Sequence, residues 1–154
     1  MMEVTAYAVV PAPPDRVWEL ACDTSRYAEW VDGTDEVTRT DGPAAPGSSY
    51  DEVNPILGPW KAKTHWTVTE FEAPRRMVHR GTGLPLTDEF DVIFELVPEG
   101  DSTGFSQTLR GKPALGPVGA LFARLMEGQV ARDNRKSVEN FAALAARELR
   151  PQTL

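Results

Sequence analysis

The sequence holds a single cysteine, Cys22, and two histidines, His65 and His79. One thiol excludes an intrachain disulfide, and ligands so few and scattered supply no zinc-binding pattern, so no metal is expected. No apolar run approaches the roughly 20 residues needed to cross a bilayer, which argues against stable membrane insertion. The first residues, MMEVTAYAVVPAPP, lack the basic start and sustained apolar stretch of a secretory signal, and a cytoplasmic location is the default expectation. Positive charge is scarce too, with a net charge of −7. Such a surface does not replace the counterions condensed on nucleic acid, so no nucleic-acid partner is expected. The familiar catalytic signatures are missing: no HExxH, no Gly-x-Ser-x-Gly elbow, no P-loop. Gly81-Thr82-Gly83 runs into Leu-Pro instead of a helix and reads as a hairpin connection, not a phosphate cradle. No cofactor follows from any motif.

What is present fits one domain, 1–154, with enough chain for a genuine core. The charge is unevenly placed. From Pro117 to Arg150 there are six basic residues and four acidic ones, a net of +2 that leaves −9 on the rest. A mildly basic terminal helix on an acidic body suits an anionic ligand or surface. The plainer reading is a solvated helix face.

Val4–Val10 has the β-branched and aromatic residues of a strand, and Pro11, Pro13 and Pro14 stop it. Pro14 suits the first turn of a short helix, Asp15–Cys22, and Asp23-Thr24-Ser25 offers cap chemistry for a second, Arg26–Trp30. A meander follows, with strands expected at Glu36–Thr40, Ser48–Val53, Trp60–Phe71, Arg76–Arg80, Glu89–Val97 and Gly104–Arg110. Asn54–Pro59 reads as a loop. Asp91 and Glu95 fall off the Phe90/Val92/Phe94 face and should be solvated. From Pro117 to Leu149 apolar residues recur at intervals of three and four, predicting a helix of about 50 Å. Its apolar stripe (Val118, Leu121, Phe122, Leu125, Met126 and Val130, then Val138, Phe141 and Leu144) is broken in the middle by Gln129, Arg132, Asp133 and Asn134. Continuous strands joined by short turns predict an antiparallel sheet.

Several stretches carry a resemblance that covers nearly the whole chain. They are Ala12-Pro13-Pro14-Asp15-Arg16-Val17-Trp18, Tyr27-Ala28-Glu29-Trp30, the strand and turn Val68–Met77, and the final helix. In these the sequence resembles the START-like (SRPBCC, helix-grip) superfamily, and within it the polyketide cyclase/dehydrase branch. The resemblance implies an α+β fold: a curved antiparallel sheet of about seven strands gripping a long C-terminal helix, with two short helices after the first strand. It also implies a hollow core that takes an apolar molecule.

The residues then divide by face. Trp30, Tyr50, Trp66, Phe90, Phe94 and Phe122 are candidate cavity wall, although aromatics at strand spacing are also ordinary core. His79 shares phase with Met77, but both faces of Arg76–Arg80 carry an apolar and a polar residue, so its direction stays open. Gln107 is in phase with Phe105 and Leu109, and a buried amide needs a partner, because leaving it unpaired costs about 1–3 kcal/mol. Gln129 and Asp133 sit at the break in the helix stripe. The leading expectation is a binder of a small, largely apolar molecule (polyketide-like, aromatic or lipid) at Trp30, Tyr50, Trp66, His79, Phe90, Phe94, Gln107, Phe122 and Gln129, acting as a monomer or homodimer. The alternative is a cyclase/dehydratase-type enzyme, for which His79, Gln107, Tyr50 and Arg80 are the only candidate acid/base groups. A third is a protein-interaction domain with an incidental cavity.

Overall fold

The computed structural model describes residues 1–149. Strand β1 (Met2–Val10) is followed by helix α1 (Pro14–Cys22), a single 3-10 turn and the short helix α2 (Tyr27–Trp30). Six strands then meander: β2 (Glu36–Thr40), β3 (Ser49–Leu57), β4 (Trp60–Glu72), β5 (Arg76–Thr82), β6 (Thr87–Glu99) and β7 (Ser102–Pro113). Helix α3 (Gly116–Glu148) closes the described chain. The seven strands form one antiparallel sheet in the order β1-β7-β6-β5-β4-β3-β2. Its architecture is the expected helix-grip α+β fold.

The strands obey period 2. In β4, Ala62, Thr64, Trp66 and Val68 are buried while Lys61, Lys63 and His65 are exposed, as alternation across a one-sided sheet requires. One expected loop is not a loop. β3 continues through Asn54 to Leu57, and only Gly58 and Pro59 remain to turn into β4. Gly58 takes φ +53 there, a backbone angle that costs glycine little.

The helix differs more from its expectation. Only its C-terminal half is seated, through Asn134, Ser137, Val138, Phe141, Leu144 and Ala145. Phe141 is fully buried, stacked on Phe105 at 4.2 Å between ring centroids and met edge-on by Trp30 at 4.8 Å. The N-terminal half instead leaves Val118, Leu121 and Leu125 more than half exposed. Periodicity identifies a stripe, but the sheet covers only part of its length. Phe122, Met126 and Val130, on the flank of that stripe, turn toward the sheet across a gap.

Asp91 also departs from its expected solvation. It is 5% exposed on the sheet face opposite the helix, where Arg80 Nε donates to it at 2.9 Å and Arg110 approaches at 3.4 Å. The two guanidiniums hold its carboxyl below the usual range against the opposing effect of burial. Glu95 is exposed, as expected.

Candidate functional site

The gap between sheet and helix is a cavity of about 210 Å³. Alternation in β6 presents Phe90, Val92 and Phe94 to it, and β7 adds Gln107 and Leu109, which face Phe94 and Val92 across the ladder. Tyr50 and Trp66, paired in register between β3 and β4, form another part of the wall. Phe122, Met126 and Val130 of α3 close the opposite side. Polar groups gather in two places: Thr34, Glu52 and Asn54 on one, and Gln107 with Gln129, Asp133, Asn134 and Ser137 along α3 on the other. An apolar wall with a few polar groups is the usual form of a small-molecule site.

Glu52 is the residue that sequence reading missed. It follows Tyr50 by two positions and precedes Asn54 by two, so the pleat sends all three inward. The signal was that phase. Burial pushes its carboxyl up to about 7, against hydrogen bonds from Asn54 and Thr34 that act the other way. A one-way chain of hydrogen bonds ends on it. The Trp66 indole N–H, which can only donate, reaches Thr64 Oγ1 at 2.7 Å. The Thr64 hydroxyl therefore donates to Asn54 Oδ1, and Asn54 Nδ2 donates to the Gly33 carbonyl at 2.7 Å and to Glu52 Oε1 at 3.1 Å. Thr34 Oγ1 adds a bond to the same oxygen at 3.1 Å. Among the described residues, Glu52 Oε2 makes no hydrogen bond to the protein.

Gln107 is oriented just as firmly. Asn134 Nδ2 donates to the main-chain carbonyl of Gln107 at 2.9 Å, which turns Asn134 Oδ1 toward the Gln107 amide. Gln107 Nε2 donates to that oxygen at 2.7 Å, so Gln107 Oε1 is left buried without a partner among the described residues. Gln129 Nε2 donates to Asp133 Oδ1 at 2.8 Å. The Asp133 carboxyl is raised by partial burial and by neighbouring Asp32.

His79 and Trp30 lie outside the cavity lining. His79 does sit on the inward side of β5, but Tyr50 stands in front of it, with its hydroxyl 2.6 Å from His79 Nδ1. Phe94 and Tyr27 pack around the imidazole at 5.1 and 6.0 Å. Full burial lowers its pKa to about 3, so it is neutral near pH 7, and Nε2 has no partner among the described residues. Trp30 is spent on Tyr27, Phe94, Phe105 and Phe141, because α2 directs its ring onto the seated half of α3. Arg80 belongs to the far face with Asp91. The other expected wall residues, Tyr50, Trp66, Phe90, Phe94, Gln107, Phe122 and Gln129, all line the cavity. Of the four candidate acid/base groups, the cavity thus touches Tyr50 and Gln107 and omits His79 and Arg80.

A seven-stranded sheet closed over a long helix, with a cavity held between them, defines the helix-grip class. The profile of the family described as Polyketide cyclase / dehydrase and lipid transport matches residues 1–146, and the chain belongs to that family. Among its relatives is Toxin Rv0910 of Mycobacterium tuberculosis, 28% identical over 153 residues, covering 95% of this chain and 99% of that protein. Another from the same organism, the uncharacterized protein Rv1546, is 28% identical over 94% of this chain and 99% of its own length. The fold matches that of the Zhui aromatase/cyclase from Streptomyces sp. R1128, with TM-score 0.80, 18% identity, and coverage of 96% and 95% of the two chains. It also matches TTHA0849 from Thermus thermophilus, with TM-score 0.77, 19% identity, and coverage of 94% and 97%. Among the described residues no helix is long and apolar enough to cross a membrane, and no cluster of three or more metal-ligating side chains occurs.

Proposed function

We propose that this protein binds a small, largely apolar molecule in the cavity between the sheet and α3. The observation that carries this reading is the cavity itself. A close-packed interior leaves few voids larger than a water molecule, whereas this one has about 210 Å³ walled by Trp66, Phe90, Val92, Leu109 and Phe122. Native mass spectrometry of freshly purified protein tests it. A small organic adduct that is lost on denaturation is the expected result, and Val92→Trp, which fills the space, should abolish it. Absence of any adduct, together with no thermal stabilisation by apolar probes, overturns the reading.

A second reading, an enzyme of the cyclase/dehydratase type, is favoured by Glu52. A carboxyl poised near 7 on a cavity wall can both give and take a proton at neutral pH. In that reading Glu52, and not His79, does the acid/base work. Glu52→Gln should then abolish turnover of a poly-β-ketone analogue while ligand binding and fold persist. Unchanged turnover removes Glu52 from the mechanism.

A further inference from the structure

The polar groups of the cavity are unbalanced. Its side-chain nitrogens have partners within the protein: Trp66 Nε1 on Thr64, Asn54 Nδ2 on Gly33 and Glu52, Gln107 Nε2 on Asn134, Gln129 Nε2 on Asp133, with one N–H left over on each glutamine. Two of its acceptor oxygens have none. Among the described residues Glu52 Oε2 has no protein partner, and Gln107 Oε1, in a residue only 2% exposed, is buried and unpaired. The two orientations behind this count are forced by main-chain carbonyls, those of Gly33 and of Gln107, which can only accept and so must face the amide nitrogen. The charges point the same way. Glu52 and Asp133 line the cavity, and no lysine, arginine or histidine among the described residues does. An anionic head group would meet two carboxyls and no cation among the described lining residues.

We propose that the ligand is an apolar molecule carrying an amino group, with the protonated amine donating to the free oxygen of Glu52, Gln107 Oε1 as a further acceptor in the same cavity, and the hydrocarbon against Phe90, Val92, Leu109 and Phe122. This rests on the ligand-binding reading above and names the chemical class of that ligand. An ammonium suits the site because it has three N–H donors and no acceptor, which matches the unpartnered oxygens of Glu52 and Gln107. It also supplies the counter-charge that a buried carboxylate lacks, and charge-assisted hydrogen bonds are the stronger kind. The mildly basic charge of the terminal helix does not reach the cavity. Arg132 is exposed and turns to Gln129 Oε1 at 3.1 Å.

The test is calorimetric titration at about pH 8 with octylamine, octanol and octanoate, which share one tail and differ in head group. Octylamine should bind at least tenfold more tightly than octanoate, with octanol between them, a gap in line with the worth of one charge-assisted hydrogen bond. Glu52→Gln should weaken octylamine by about tenfold and leave octanol within about threefold. Equal affinity for amine and carboxylate overturns the inference, as does a folded Glu52→Gln protein that binds octylamine unchanged. In either case octanol binding keeps the ligand-binding reading intact. Failure of all three to bind overturns both. The ranking of the three head groups on the native protein decides the matter even where the variant does not fold.

Discussion

Replacing Glu52 by glutamine should change how stability depends on pH more than it changes the fold. Burial raises the Glu52 carboxyl from 4.5 to about 7 and lowers His79 from 6.5 to about 3. The folded protein holds the Glu52 proton more tightly than the unfolded chain does. The stabilisation from that proton is therefore full below pH 4.5 and is lost as pH rises toward 7. His79 acts oppositely: below pH 6.5 the unfolded chain takes a proton that the folded protein refuses, so stability is lost as pH falls. Each group contributes a slope of about 1.4 kcal/mol per pH unit over its window. Between pH 4.5 and 6.5 the two slopes oppose and largely cancel. Glu52→Gln removes one of them and uncovers the other, so stability should climb by roughly 3 kcal/mol across that interval. Urea unfolding followed by tryptophan fluorescence, at half-unit steps from about pH 4.5 to 7.5, measures both proteins. Surface carboxylates titrate alike in the two and cancel in the difference. Parallel profiles would mean that Glu52 titrates as an ordinary exposed carboxyl, and the buried-acid argument would fail.

Three other outcomes can be checked by the same unfolding assay. Phe141→Ala should cost about 3–5 kcal/mol, because Phe141 is fully buried between Phe105 and Trp30. A loss under about 1 kcal/mol would contradict that packing. Gly81→Ala should cost about 1–3 kcal/mol and shift the fluorescence of Trp66, since a Cβ at Gly81 would lie 2.5 Å from the indole ring. On α3, Leu125→Gln should stay within about 0.5 kcal/mol of the native protein, while Leu144→Ala should cost about 2–5 kcal/mol. Leu125 is 73% exposed and Leu144 is 5% exposed, and equal effects would show that the two halves of the helix are equally seated.

The strands and the long helix were legible because period 2 and period 3.6 are written into residue order, and prolines mark some of the stops, as after β1 and β4, although β3 runs on through Pro55. What covers an element is not written there. The residues Val118, Leu121 and Leu125 have the spacing of a core face, and only the reach of the sheet leaves them outside. Depth is hidden in the same way. The direction of His79 stays open in the sequence, since both faces of its strand mix apolar and polar residues, and that it turns inward with Tyr50 between it and the cavity is a fact about two strands together. Glu52 shares the phase of Tyr50, but acidic residues are mostly exposed, and its neighbour Asp51 is exposed enough to pair with His65 at 2.6 Å. The Glu52 partners Thr34 and Asn54, and Thr64 behind Asn54, come from three separate segments, and no local pattern joins all three.

The strand order also has a temporal side. β2 through β7 pair with sequence neighbours, whereas β1 pairs only with β7, from Met2↔Gly111 to Val10↔Thr103. In chain order β1 thus comes before all six other strands but finds its partner only in the seventh. The meander can assemble locally, and closing the long loop to β1 is the slow, entropically costly step. Until then the β7 edge and the inner face of α3, which also packs on β1, stand open, and an unpaired edge of this kind invites association between chains. Pulse-labelled hydrogen exchange during refolding should find the β1 amides protected last, and early protection of β1 would reverse this order.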